Sequence, residues 1–153
     1  MREPDDASTR ALVAVRGLQA AYGDAVTRRA WEEVRLLFEP DAVVHIDTRT
    51  RDPFTLEGPE ALVEFIERAV EPFAFFELAI LNAVAEVDGD AATGRVHLCK
   101  LRHGHDGEWS QAVGVYQDRY QRRDNAWRIA ERRYSSLART RAGEVESFPW
   151  PEG

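Results

Sequence analysis

Asn82-Ala-Val-Ala-Glu-Val-Asp88-Gly89-Asp90-Ala-Ala-Thr-Gly94-Arg-Val-His97-Leu-Cys-Lys100 is the stretch that decides the fold. Asp-Gly between two apolar, alternating runs is a strong hairpin signal, because glycine accepts the positive φ that a two-residue turn requires. Working outward, Phe75–Val87 reads as a long strand and Ala91–Arg102 as its return. His103-Gly104-His105-Asp106-Gly107 turns the chain again, Trp109–Arg122 reads as a third strand, Arg123-Asp124-Asn125 turns, and Ala126–Leu137 reads as a fourth. The expected unit is a four-strand antiparallel meander.

Upstream the period changes. Leu12, Val15, Leu18, Tyr22 and Val26 recur at steps of three and four, which is helical spacing, with Ser8 or Thr9 as the candidate N-cap. Trp31, Val34, Leu37 and Phe38 continue it after a break near Arg28–Ala30, and Glu39-Pro40-Asp41 stops it. Ala42–Asp47 reads as a short strand and Thr48–Glu57 as a loop. Gly58-Pro59-Glu60 opens another helix, with Leu62, Phe65, Ile66 and Ala69 as its apolar stripe and Pro72 as its end. Helices followed by a meander predict an α+β fold, a cone-shaped, curved antiparallel sheet packed against about three helices. Residues 1–7 read as a disordered tail, 8–137 as a single domain, and 138–153, with Pro149 and Pro151, as an irregular C-terminal tail. A long, bent sheet closing on helices leaves room for a small molecule.

The composition narrows the function. With 153 residues, 44% apolar and 31% charged, the chain fits one globular domain and no membrane partner is expected. The net charge of −7 argues against nucleic acid as a partner. Lys100 is the only lysine among 20 basic side chains. Cys99 is the only cysteine, so neither an internal disulfide nor a thiolate metal cage can form. Met1–Asp6 is polar and acidic, unlike a secretion signal, so a reduced, cytoplasmic setting is the expectation.

Strand alternation sorts the candidate site residues. On the third strand the even positions Ala112, Gly114, Tyr116, Asp118 and Tyr120 are taken as the concave face. Gly114 lets the sheet bend or a ligand approach, or simply relieves strain while Tyr116 fills the core. On the second strand Val96 and Leu98 face the core, which puts Lys100 at the mouth of the same face. There it is an anion anchor or base, or it snorkels to water. On the fourth strand Arg132 and Tyr134 share a face, with Trp127 and Ile129 assigned to the opposite one. A buried Arg132 needs an acid, and Asp118 on the neighbouring strand is the candidate, as a functional pair or a structural one. Arg132, Asp118 and Lys100 are therefore the candidate catalytic residues. Tyr22, Leu98, Gly114, Tyr116 and Tyr134 are the candidate lining for a small, mainly hydrophobic molecule. A cone filled by Phe75, Phe76 and Tyr116 would instead favour a pure interaction module.

Other motifs carry less. His103-Gly104-His105 with Glu108 has metal-ligand spacing, but it falls in an exposed turn and no further histidine completes a set, so no metal is expected. His45 and His97 point away from the concave face by parity, with His97 an outside candidate for acid–base work should a bulge reverse it. Nucleophile-elbow, phosphate-loop and dinucleotide motifs are absent.

Tyr22-Gly-Asp-Ala-Val-Thr-Arg-Arg-Ala-Trp31, Leu37-Phe-Glu-Pro-Asp-Ala-Val43, Gly58-Pro-Glu-Ala-Leu62, the Asn82–Ala92 hairpin, Gly114-Val-Tyr-Gln-Asp118 and Trp127-Arg-Ile-Ala-Glu-Arg132 come in the order found in SnoaL-like proteins. From Ala11 to Leu137 the chain thus resembles this branch of the nuclear-transport-factor-2-like superfamily. The resemblance implies an α+β barrel, no metal or organic cofactor, frequent homodimers, and activities such as dehydratase, dehydrochlorinase, isomerase or polyketide cyclase. It also implies a catalytic His–Asp pair, in which the His removes a proton and the Asp orients it. This sequence departs from that pattern, with Ala30 at the Asp position, Thr27 nearby, and Leu78 at the His position. The pocket Arg, aromatic and acid match at Arg132, Tyr116 and Asp118. The expected function is a cofactor-independent lyase, isomerase or cyclase acting on a small oxygenated molecule such as a polyketide, terpenoid or aromatic. A non-catalytic binder of such a ligand and a dimeric interaction module are the alternatives.

Overall fold

Three helices come almost entirely before the long strands. In the computed structural model, which describes residues 1–153 apart from the side chain of Arg141, α1 spans Asp6–Thr27, α2 Trp31–Leu36 and α3 Pro59–Val70. Strands β1 (Phe38–Asp47) and β2 (Phe54–Glu57) lie between α2 and α3. The meander follows as β3 (Phe73–Asp88), β4 (Ala91–Gly104), β5 (Trp109–Arg123) and β6 (Ala126–Arg141), with β7 (Glu144–Ser147) last. The α1 cap is Asp5, whose Oδ1 accepts the Ser8 N–H at 2.7 Å, so the helix begins ahead of Ser8 and Thr9. Arg29, at φ +57°, breaks the chain between α1 and α2 as the sequence suggested.

The strands form one open sheet in the order β2-β1-β6-β5-β4-β3, with β7 paired to the far end of β6. The meander is antiparallel throughout, but β1 runs parallel to β6, so the sheet is mixed rather than wholly antiparallel. Pairing also extends into the segment read as an irregular tail, where Arg139 lies opposite Glu146. The even face of β5 is the concave one. Its Tyr116 and Tyr120 are buried against α1, and Val15, Tyr22 and Val26 of that helix belong to the same core.

Bulges decide which side chains reach that face. Leu81 is an extra residue between Ile80 and Asn82, Ala130 between Ile129 and Glu131, and Leu137 between Ser136 and Ala138. The Ala130 bulge turns Ile129 inward, opposite Tyr120, where it is fully buried. Its sequence assignment to the face opposite Arg132 is thus corrected, because simple parity does not survive an inserted residue. The Leu137 bulge likewise brings Arg139 in phase with the buried Ala112.

The residues after β7 cross the outer face. The Phe148 N–H donates to the Leu137 carbonyl, and Trp150 packs on His97 with ring centroids 5.5 Å apart. Val115, on the outer face of β5, has no exposure. The tail thus covers the outside of the sheet rather than the mouth of the cone. No helix among the described residues is long and apolar enough to cross a membrane.

Candidate functional site

Two polar clusters occupy the inner face. The deeper one is built on Arg132, whose Nε donates to Asp118 Oδ1 at 2.8 Å and whose Nη2 donates to Oδ2 at 2.7 Å. Register dictates the meeting, since Asp118 and Arg132 are directly opposed on β5 and β6. Asp118 also accepts the Tyr120 hydroxyl at 2.8 Å, and Tyr120 accepts Gln19 Nε2 at 2.8 Å, which ties α1 to the pair. Aromatic rings wrap the guanidinium. Its central carbon is 3.8 Å from the Tyr116 centroid, 4.2 Å from Tyr22 and 5.6 Å from Phe38. Burial pulls Arg132 toward neutrality, but the charge and hydrogen bonds of Asp118 outweigh it and raise its pKa above the ordinary value. Nη1 has no hydrogen-bond partner and rests among the rings.

The second cluster lies toward the mouth. Tyr134 hydrogen-bonds Ser136 Oγ at 3.1 Å, and Lys100 Nζ stands 4.2 Å from the centroid of its ring. Gly114 makes this possible, because a Cβ there would collide with the Tyr134 ring. Lys100 is half-buried over an aromatic face, so it neither snorkels fully nor stands free. Arg102, one pair further out, donates from Nε to Ser110 Oγ at 3.1 Å and covers the Phe73 ring at 5.2 Å.

Two neighbouring tyrosines, with ring centroids 5.6 Å apart, are tuned in opposite directions. Burial, then the adjacent Tyr22, push the Tyr116 hydroxyl well above the usual tyrosine value. Burial acts the same way on Tyr134, but the Lys100 charge, the Ser136 hydrogen bond and the Arg102 charge overcome it and lower its pKa. The Tyr116 phenol is thus shifted away from ionisation and the Tyr134 phenol toward it.

The candidate residues separate accordingly. Arg132, Asp118, Tyr22 and Tyr116 form one buried cluster in which the carboxylate takes two guanidinium hydrogen bonds and the rings enclose the rest. Lys100, Tyr134, Gly114 and Leu98 share the neighbouring rows. Phe76 and Tyr116 are inside, whereas Phe75 points outward and stacks on Trp109 at 6.0 Å. The interior at Arg132 is therefore packed, and two clefts of about 1020 Å³ and 610 Å³ open elsewhere. The larger follows the β3 edge onto the outer face by Arg95, Arg119 and Arg133, and the smaller lies beside His45 and Trp150.

Sequence reasoning missed Ser136, Arg102, Arg139 and Gln19 as participants. Ser136 and Arg102 shared the parity of Tyr134 and Lys100, a signal that was present. Arg139 was hidden by the Leu137 bulge, and Gln19 by lying on a helix face read only for apolar residues. Both histidines face outward, with His45 Nδ1 3.0 Å from Thr55 Oγ1 and its Nε2 3.4 Å from Glu131. His103 Nε2 is 3.2 Å from the Gly107 carbonyl in the β4–β5 turn. Where the resemblance would set an Asp and a His, Ala30 precedes α2 and Leu78 lies on β3, with the Leu78 N–H donating to Thr27 Oγ1 at 3.0 Å. The end of α1 and β3 meet there, but those positions carry no acid or base.

Known proteins share this architecture. The family model described as a SnoaL-like domain matches residues 7–133. A protein of unknown function from Mycobacterium tuberculosis is 26% identical, over 88% of this chain and 76% of that one, with a TM-score of 0.75. A hexachlorocyclohexane dehydrochlorinase from Novosphingobium barchaimii is 21% identical over 96% of this chain and 100% of its own, with a TM-score of 0.76. A protein named for scytalone dehydratase, from Novosphingobium aromaticivorans, is 17% identical over 97% of this chain and 98% of its own, with a TM-score of 0.81. No curated protein matches the sequence.

Proposed function

The chain belongs to the SnoaL-like family, and from that premise we propose that it is a cofactor-independent lyase, isomerase or cyclase whose proton-transfer group is Tyr134 rather than a His–Asp pair. Its substrate is a small, mainly apolar, oxygenated molecule of the polyketide, terpenoid or aromatic kind. The observation that carries this reading is the Lys100–Tyr134–Ser136 constellation, with its lowered phenol pKa. Two structural relatives bear names that denote eliminations, in which a proton and a leaving group depart from neighbouring carbons.

The chemistry follows from the geometry. The Tyr134 phenolate removes a proton beside a carbonyl, Lys100 and Ser136 hold the phenolate, and Arg102 faces the negative charge that develops on the substrate oxygen. Leu98 and Tyr116, both buried, pack deeper on the same face and form the floor beneath Tyr134. Arg132 and Asp118, sealed from solvent, position Tyr116 and Tyr22 instead of touching the substrate. The protein acts in the cytoplasm as a homodimer, and sedimentation showing only monomer at micromolar concentration rejects the latter.

Deuterium exchange tests the catalytic reading without a known substrate. A panel of aryl ketones in D₂O is followed by proton NMR for loss of the α-proton signal. The wild type accelerates exchange for at least one member, and Tyr134→Phe reduces that rate by about 10²–10⁴-fold. No acceleration over buffer, or equal rates for the two proteins, rejects it. A ligand that binds without exchange favours a non-catalytic binding protein, the second reading, which rests on Ala30 and Leu78 at the dyad positions.

A further inference from the structure

The mouth of the cone also speaks to the chemistry of the substrate, an inference that rests on the function proposed above and narrows it. Lys100, Ala112 and Arg139 stand in one row across β4, β5 and β6, and Arg102 with Ser110 forms the next pair outward. Three cations therefore surround a short, buried alanine. Most other half-buried or buried arginines face a carboxylate: Arg132 faces Asp118, Arg35 faces Glu32, Arg49 faces Asp47 at 3.3 Å, and Arg139 itself faces the half-exposed Glu146 at 2.8 Å, with Arg128 the exception among the described residues. Neither Lys100 nor Arg102 has such a partner among the described residues. Their contacts are the Tyr134 ring for Lys100, and Ser110 Oγ and the Phe73 ring for Arg102, none of them a carboxylate. Acids are not scarce in a chain with 27 of them against 20 basic side chains.

Half-buried cations without a carboxylate partner, as Lys100 and Arg102 are, are costly to hold. Burial, together with the charge of Arg139, accordingly pulls Arg102 below its ordinary pKa. An incoming anion removes that cost, and a guanidinium offers paired, planar donors that match a carboxylate. We propose that the mouth is an anion site and that the substrate is an organic carboxylate, its carboxylate gripped by Lys100, Arg102 and Arg139 above Ala112. Its apolar body rests against the Tyr134 and Phe73 rings that lie beneath Lys100 and Arg102.

Calorimetric titration with 2-naphthoate and with neutral 2-naphthamide tests this. Naphthoate binds the wild type about tenfold or more tightly than the amide, and Lys100→Gln and Arg102→Gln each weaken naphthoate by a similar factor while leaving the amide unchanged. Arg95→Gln, on the outer face, changes neither. Equal affinity for the two probes, no naphthoate binding at millimolar concentration, or variants that bind naphthoate like the wild type would overturn the proposal. Thermal melting without ligand establishes that each variant is folded. Should Arg102→Gln unfold, Lys100→Gln and the wild-type probe ratio decide. Because binding is read without turnover, naphthoate binding with no deuterium exchange upholds the anion site and rejects the catalysis, and exchange with no preference for naphthoate does the reverse.

Discussion

Asp118 and Arg132 show how a buried charge pair constrains a single residue. Arg132 is 1% exposed and both hydrogen bonds of its guanidinium go to Asp118. Removing the acid leaves a guanidinium enclosed by Tyr22, Tyr116 and Phe38, so Asp118→Ala loses about 3–5 kcal/mol in urea unfolding. Replacing both residues by apolar ones of similar volume recovers much of that loss, since no charge is then left unpaired. Tyr134 behaves differently. Its folded pKa lies below that of a free tyrosine, so its ionisation favours the folded state only at alkaline pH, above about 10, and the contribution fades as pH falls through the folded value. At neutral pH the Lys100–Tyr134 pair is thus a matter of reactivity rather than stability. Lys100→Gln moves the alkaline limb of the exchange rate to higher pH, which a pH–rate profile checks.

At the scale of the element, β5 and β6 explain what the sequence disclosed and what it withheld. The Asp88-Gly89 turn and the alternation of Ala112, Gly114, Tyr116 and Asp118 were legible, because each depends only on neighbours along the chain or across one tight turn. That sufficed to place Asp118 opposite Arg132. The bulges at Ala130 and Leu137 were not legible, because one inserted residue reverses parity without changing residue type. Ile129 and Arg139 were lost to that reversal. The parallel β1–β6 pair joins segments about 90 residues apart, and no local pattern specifies it. Gly114 ties this element to the site. Gly114→Ala forces the Tyr134 ring away from the strand, which costs about 1–3 kcal/mol and shifts the ring relative to Lys100. Denaturant unfolding checks the first effect, and weakened lowering of the phenol pKa checks the second.

Across the whole molecule, one sheet serves two different faces. The inner face carries the tyrosines and cations, and the outer face carries His45, His97, Arg119, Glu131 and the returning tail. The tail is structural as far as the outer face is concerned, since Val115 is unexposed and Cys99 is 8% exposed. Burial also raises the Cys99 pKa, which keeps the thiol protonated and slow to react. Deleting residues 148–153 uncovers this region, and the rate of Cys99 modification by an aromatic disulfide increases accordingly. An unchanged rate would mean that the tail does not shield the sheet.

The phenol of Tyr134 can be measured without any substrate, by following tyrosinate absorbance at about 295 nm as pH is raised. Burial keeps Tyr116 and Tyr120 protonated beyond the ordinary range, whereas Tyr134 is shifted the other way. Tyr134 therefore ionises ahead of Tyr116 and Tyr120 in the wild type, and Tyr134→Phe abolishes that early step. Superimposable titration curves for the two proteins would contradict an acid–base role for Tyr134.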